Sequence, residues 1–397
     1  MAKGDLLVIS GGEVITPLET IRSGRVVIEG GKIVAVGPAR KVTAPKGARR
    51  ISARGKKVLP GLIGTHIHGM CGTNAKEGVE AVLNIRRNLV RYGVTGFLPT
   101  LGCLGEQELR QSLDDVKAAA RDPYDGAQVL GVHLEGPYFH PEYGAFPERH
   151  LAVPPARTQE RLIRLGKGIV KIVTLSPELK GAIGFIKRLA ANRVVAAIGH
   201  SDADEKVFAK AVDAGASHVI HLYDAMRPRS QEVEGGTEWP ALADLILCED
   251  RLHAELIMDG IHVAPTLVRL AVRAKGVDRL VIVTDSTNTA GMPPGRYEFA
   301  PGMPVVSDGV SCRTADTLGL SGSLLTLNKG VINMSRMAEL PLCQAVQMAT
   351  LNPARLIRAH RRKGSLEAGK DADICIADEN MRVDVTIIRG KVVYTRS

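Results

Sequence analysis

The stretch Pro60-Gly61-Leu62-Ile63-Gly64-Thr65-His66-Ile67-His68-Gly69 sets the architecture. It is a short apolar run bounded by glycines, which is the signature of a buried strand. It closes on two histidines two residues apart, and the period-2 geometry of a strand puts both imidazoles on one side. The same grammar recurs seven times downstream, in Val94–Pro99, Gln128–Glu135, Ile169–Leu175, Val194–Gly199, His218–Leu222, Ala254–Met258 and Leu280–Asp285, the first run being Leu62–His68. Between them lie segments with apolar residues at helical spacing, such as Ala81–Tyr92, Glu106–Ala120 and Glu205–Ala214. Eight strand–helix repeats predict an α/β fold, a (β/α)8 TIM-type barrel. A doubly wound open sheet is the alternative, but no Gly-x-Gly-x-x-Gly follows the first strand. Both ends of the chain read differently. Leu6–Ile9, Arg25–Ile28 and Lys32–Val36, then Ala372–Ala377, Val383–Ile388 and Lys391–Tyr394, are short strands separated by turn residues. They predict one small β-sandwich domain assembled from residues 1–59 and 362–397, with a catalytic barrel over 60–361.

Polar residues sit where the apolar runs end: His66 and His68 after the first, Glu135 after the third, His200 after the fifth, His221 in the sixth and Asp285 after the eighth. In a barrel those strand ends face one rim, so residues distant in sequence converge there. A lone buried histidine is usually a satisfied core residue. Four histidines and two carboxylates at the ends of the right strands are better explained by a metal site. Imidazole and carboxylate suit Zn²⁺, Fe²⁺, Co²⁺ or Ni²⁺ better than Ca²⁺ or Mg²⁺. A divalent metal makes water nucleophilic at neutral pH, and an aspartate can carry the proton to a leaving amine. That combination hydrolyses amides or deaminates ring carbons. His133 reads as core or as support behind a ligand. His218, of opposite parity to His221, reads as outward-facing or lower in the barrel. Lys171 reads as structural rather than a carboxylated metal bridge, and Cys71 as a small rim residue rather than a ligand.

Composition narrows the alternatives. Aromatic residues are 4% of the chain, too few for base-stacking platforms, so no nucleic-acid partner is expected. The formal charge of +10 fits an anionic ligand or simply a basic surface. The run His360-Arg361-Arg362-Lys363 reads as a solvated helix end. Six scattered cysteines without a Cys-x-x-Cys pair read as cytoplasmic thiols. No uncharged run approaches a membrane span.

From Pro60 to Asp373 the chain resembles the amidohydrolase superfamily, and within it the N-acetylglucosamine-6-phosphate deacetylase family. The resemblance is carried by Pro60–His68, His133-Leu134-Glu135-Gly136-Pro137, Thr174–Glu178, Gly199-His200-Ser201-Asp202-Ala203, His221-Leu222-Tyr223-Asp224-Ala225-Met226, Asp259-Gly260-Ile261-His262-Val263, Thr284-Asp285, Ala290-Gly291, Leu320–Ser323, Asn352–Arg355 and Gly364–Asp373. It implies a metal held by Glu135, His200 and His221. It also implies a second metal on His66 and His68 with Glu135 bridging, so one or two divalent ions, zinc or iron, in all. Asp285 is implied as the general acid/base. His262, Asp224, Ala225, Arg227 and Phe146 are implied on the substrate side, and a homodimer is expected.

Three positions depart from the family. Asp224 replaces an Asn. Gly144-Ala145-Phe146 stands where a histidine is usual, with His140 or His150 as substitutes. Gln231–Gly236 replaces a run that supplies a phosphate-binding Arg, leaving Arg227 and Arg229 as the nearest cations. The expected reaction is deacetylation of N-acetylglucosamine 6-phosphate. The alternatives are deacylation of a different N-acyl amine and, as a minor reading, a non-catalytic scaffold, which would be expected to have lost ligands.

Overall fold

The computed structural model describes residues 6–17, 19–122, 126–144, 153–228, 239–300 and 302–396. Eight parallel strands form the barrel: β1 (Leu62–Ile67), β2 (Val94–Gly102), β3 (Val132–Glu135), β4 (Val170–Leu175), β5 (Val195–Ile198), β6 (Ala216–Val219), β7 (His253–Ile257) and β8 (Leu280–Val283). Each pairs in parallel with the next, for example Ile67 with Pro99, Glu135 with Gly102, Leu175 with Ile198, and Ile257 with Val283. The ring closes between β8 and β1. There Ile67 bridges Ser286 in parallel, the Asp285 N–H donates to the His66 carbonyl at 3.1 Å, and the His68 N–H donates to the Ser286 carbonyl at 2.9 Å. The sequence-predicted runs lie on these eight strands. The third is split, with Gln128–Val129 pairing separately on β2.

Helices Val79–Leu89 and Glu106–Arg121 turn their apolar faces onto β2 and its surroundings, burying Val82, Ile85 and Leu89 and then Leu109, Leu113 and Val116. Burial of that kind contributes about 25 cal/mol per Å² of apolar surface, which outweighs any intrinsic helix preference. Inside the barrel, an apolar plug of Ile63, Leu98, Ile172, Val195, Ala197 and Ile220 packs on Ala354–Ile357 from below. A buried polar layer lies above it, and the candidate site lies above that.

Sequence reading missed one insertion after β8. Gly295–Ala300, Met303–Ser307 and Cys312–Thr314 form a three-stranded antiparallel sheet beside the barrel mouth. Its proline- and glycine-rich sequence gives no sustained alternation.

The chain ends form one eight-stranded sheet. Its order is Lys391–Thr395, Val383–Ile388, Ile374–Ala377, Lys57–Pro60, Leu6–Ile15, Thr20–Glu29 and Lys32–Pro38, with Arg49–Ser52 beside Leu6–Ile15. It wraps a core that includes Ile9, Val26, Ile28, Ile374 and Ile387. Strand Lys57–Pro60 runs into β1 with only Gly61 between them, so sheet and barrel are joined rigidly.

A buried ion pair ties the same junction. Lys363 Nζ lies 2.5 Å from Asp373 Oδ2, 3.2 Å from Asp371 Oδ2 and 3.1 Å from Gln128 Oε1. Removing one partner of such a pair strands the other charge at a cost of about 3–5 kcal/mol. Lys363→Met is therefore expected to lower stability by about that amount. Urea denaturation should show this as a lower midpoint with an unchanged slope.

Candidate metal centre

Glu135 is the pivot. It ends β3 at 2% exposure, and its two carboxylate oxygens face opposite ways. Oε2 lies 3.5 Å from His66 Nε2 and 2.9 Å from His68 Nε2. Oε1 lies 3.0 Å from His200 Nε2 and 3.5 Å from His221 Nε2, and those two nitrogens are 3.2 Å apart. Asp285 Oδ1 completes the first group, 3.3 Å from His66 Nε2 and 3.2 Å from His68 Nε2. All six sequence-predicted residues converge, through two clusters sharing one carboxylate.

These spacings suit metal ligands. A tetrahedral ion with bonds of about 2.0–2.1 Å has its ligand atoms about 3.3 Å apart. Two buried atoms, His66 Nε2 and Glu135 Oε2, satisfy no hydrogen bond. A divalent cation between them would use both, so the residues fit such a group.

The electrostatics point the same way. Burial alone would lower the pKa of His66, His68 and His221, but Glu135 and Asp285 raise all three, His221 to about 9. Burial alone would raise Glu135 and Asp285, but the adjacent imidazoles hold both below the usual carboxylate range. The pocket thus stabilises positive charge, whether carried by protons or by a cation.

The backbone aims these groups at some cost. His200, His221 and Asp285 lie just past their strand ends with φ of 51°, 27° and 48°, a region unfavourable to side-chain-bearing residues. Strain of about 1–3 kcal/mol each persists only where the surroundings impose it, as at functional sites. Gly322 allows one such constraint. Its φ is +53°, and a Cβ there would stand 2.6 Å from the Asp285 carbonyl oxygen. The segment after the inserted sheet can therefore press against Asp285, and Ser323 N–H donates to that same carbonyl at 2.8 Å.

Below these groups lies a polar layer of which the sequence reading named His133 and His218 but not Glu255. Glu255, in β7 and fully buried, accepts from His66 Nδ1 at 2.9 Å, His218 Nε2 at 3.0 Å and Thr65 Oγ1 at 3.2 Å. Burial disfavours its charge, but His66 and His218 hold its pKa well below the usual range. By accepting a hydrogen bond from the Nδ1–H of His66, it turns Nε2 toward Glu135. A register irregularity between Gly64 and Ile67 lets both Thr65 and His66 reach this carboxylate. The available signal was a single Glu inside the apolar run Ala254–Met258.

His218 therefore lies low in the barrel interior, not on its outer face, because its partner Glu255 is inside. His133 is also interior, bonded to Thr174 Oγ1 at 2.8 Å and the Thr65 carbonyl at 3.2 Å, with burial lowering its pKa to about 3. Lys171 is the second residue of β4, at the opposite end of the strand from these groups, too far to bridge a metal between them.

A cavity of about 380 Å³ opens above the ligands, lined by Asp224, Ala225, Phe299 and Gly319–Gly322 among others. Its described lining contains Glu142 and Asp224 but no Lys or Arg. His262 sits close by, hydrogen-bonded through Nδ1 to Asp259 at 2.6 Å. Burial would lower its pKa, but Asp259, Asp224 and Asp285 raise it. Arg227 stands at the rim, 3.3 Å from the Asp202 carbonyl, beside the Tyr143–Asp202 hydrogen bond of 3.0 Å. Gly144 lies against the His200 ring, where a Cβ would meet Nδ1 at 2.3 Å. His140 stacks near Tyr143, their centroids 5.3 Å apart, and is not among the cavity's lining residues. Phe146, His150, Arg229 and Gln231–Gly236 lie outside the described residues.

A barrel with these histidines and carboxylates at its C-terminal rim defines a class, metal-dependent hydrolases built on strand-end histidines. The chain belongs to the amidohydrolase family, whose profile matches residues 57–393. It is 34% identical over 396 residues to an N-acetylglucosamine-6-phosphate deacetylase of Bacillus subtilis (strain 168), covering 98% of this chain and 97% of that one. It is 32% identical over 337 residues to an N-acetylgalactosamine-6-phosphate deacetylase of Escherichia coli O157:H7, covering 84% and 87%. The solved N-acetyl-D-glucosamine-6-phosphate deacetylase of Mycobacterium smegmatis, in complex with N-acetyl-D-glucosamine-6-phosphate, superposes with a TM-score of 0.87 at 28% identity, covering 99% and 100%.

Glu255→Gln tests the supporting layer. Loss of such support to a metal-ligating histidine typically costs 10–100-fold in affinity. A chelator titration is expected to show a loss of about that size for the His66–His68 group and little change for the His200–His221 group.

Proposed function

We propose that this chain removes the acetyl group from an N-acetylated amino sugar 6-phosphate, N-acetylglucosamine 6-phosphate first, giving acetate and the free amine. The observation that carries this reading is Glu135 held between two histidine pairs, with Asp285 at the edge of one of them. One or two divalent ions, zinc or iron, are part of the proposal. Glu135 with His66 and His68, and Glu135 with His200 and His221, would hold such ions, whose chemistry would be to polarise the amide carbonyl and to make water nucleophilic near neutral pH.

The chain's own residues do the rest. Asp285, held ionised, accepts a proton from the attacking water at a carboxylate oxygen. The water oxygen bonds to the carbonyl carbon, the C–N bond breaks, and Asp285 returns the proton to the leaving nitrogen. His262 is assigned to the sugar or phosphate end, with Asp224, Ala225, Arg227 and Phe146 around the substrate. The cavity volume is within the range for small-molecule sites.

A homodimer belongs to this reading, supported by the exposed apolar side chains of Trp239, 58% exposed, and of Leu267 and Leu270 on helix Pro265–Lys275. So does a cytoplasmic setting, supported by the thiols of Cys71, Cys248, Cys312, Cys343 and Cys375. Among the described residues, no helix is long and apolar enough to cross a membrane.

A second reading has its own observation. The acidic described lining and Asp224 favour an N-acyl amine without phosphate. Acetate release from N-acetylglucosamine 6-phosphate and from N-acetylglucosamine, measured side by side with added Zn²⁺ or Fe²⁺, separates the two. The first reading expects a large preference for the phosphorylated sugar. Equal rates, or activity on neither with metal bound, would overturn it.

Asp285→Ala tests the proton carrier. Turnover is expected to fall by about 10²–10⁴-fold, with bound metal nearly unchanged by elemental analysis. Loss of metal together with activity would make Asp285 mainly a ligand.

A further inference from the structure

The basic run that read as a solvated helix end lies at the other end of the barrel from the metal centre. There a cavity of about 800 Å³ opens between the N-terminal ends of β3 and β4, the loop following helix Leu351–Leu356, and the hairpin that contains Arg389. Its described lining includes eight Arg and Lys side chains and one acid, Asp122.

Some of the cations are already committed. Arg362 and Lys363 pair with Asp371 and Asp373, and Arg86 donates to the Ala119 and Ala127 carbonyls. Arg358, Arg361 and Arg389 are exposed and make no side-chain hydrogen bond or ion pair among the described residues. Lys171 Nζ reaches only the Gly168 carbonyl, at 3.5 Å.

These four come from three separate segments of chain, so the fold, not a local charge run, brings them together. An adjoining cavity of about 450 Å³ shares Lys171 and Arg358, adds Arg164, Lys167 and Arg193, and has no acidic residue in its described lining. Cations gathered in excess of their counter-charges repel one another, and an anion seated among them relieves that repulsion. Guanidinium groups match phosphate oxygens through paired donors.

We propose that this cavity binds a small molecule carrying a chain of phosphates. Its volume is that of a ligand pocket. Among the described residues no aromatic side chain lines either cavity, which disfavours a nucleic-acid strand stacked on its bases. The shared chemistry is the oligophosphate chain, free or attached to a nucleoside.

Isothermal titration of the full chain with inorganic tripolyphosphate at about 0.15 M salt, where surface charges are screened beyond about 8 Å, tests the site. Saturable binding at one site per chain is expected. The triple variant Arg358→Glu, Arg361→Glu, Arg389→Glu, folded by circular dichroism, should lose it. The milder Arg361→Gln should weaken it about 10-fold, equivalent to about 1.4 kcal/mol, and keeps the test sound if the triple variant misfolds. Chelation of an active-site ion would persist in both variants and is separated by that comparison. A parallel titration with adenosine triphosphate distinguishes the two sources. Equal affinity assigns the site to the phosphate chain alone, and tighter binding assigns it to a nucleotide. Absence of saturable heat in the native chain, or undiminished binding in the variants, overturns the proposal.

Discussion

A single carboxylate organises this molecule. Glu135 is almost wholly buried, and each of its oxygens faces two imidazole nitrogens. A charge placed so deep is tolerated only when compensated on every side. The compensating groups come from β1, from just past β5 and from just past β6. Those strands must therefore hold one register, and the barrel must close between Ile67 and Ser286. Fold and chemistry depend on the same constraint, since Asp285 sits on the closing segment itself.

The interior is layered to serve that point. An apolar plug fills the bottom, as in other barrels whose centres are packed rather than hollow. Above it Glu255, His218, His133, Thr65 and Thr174 form a polar tier with its own hydrogen bonds. The tier fixes the proton on His66 and so the direction of its other nitrogen. The top tier carries the strain, in the left-handed backbone of His200, His221 and Asp285. Rigid support below and strained display above is a physical way to hold ligands before an ion arrives.

Much of this was legible in the sequence, for identifiable reasons. Parallel barrel strands are buried on both faces, so each read as a continuous apolar run. The chemistry-bearing residues stood at the ends of those runs, and position alone marked His66, His68, Glu135, His200, His221 and Asp285. Glu255 escaped because a lone carboxylate within an apolar run carries no spacing signal; its three partners come from β1 and β6. Parity counting left His218 outward-facing or lower in the barrel, and only Glu255, buried one strand away, fixes the lower position. The inserted sheet over 295–314 escaped because turn residues interrupt it. The basic run at 360–363 showed its charge, but the convergence of Lys171 and Arg389 upon it is a property of the fold.

The most direct test of the central arrangement is an anomalous diffraction map from crystals grown with zinc. Two peaks, one between Glu135, His66 and His68 and one between Glu135, His200 and His221, are the predicted result. Zinc bound elsewhere, with Glu135 in contact with neither peak, would contradict it.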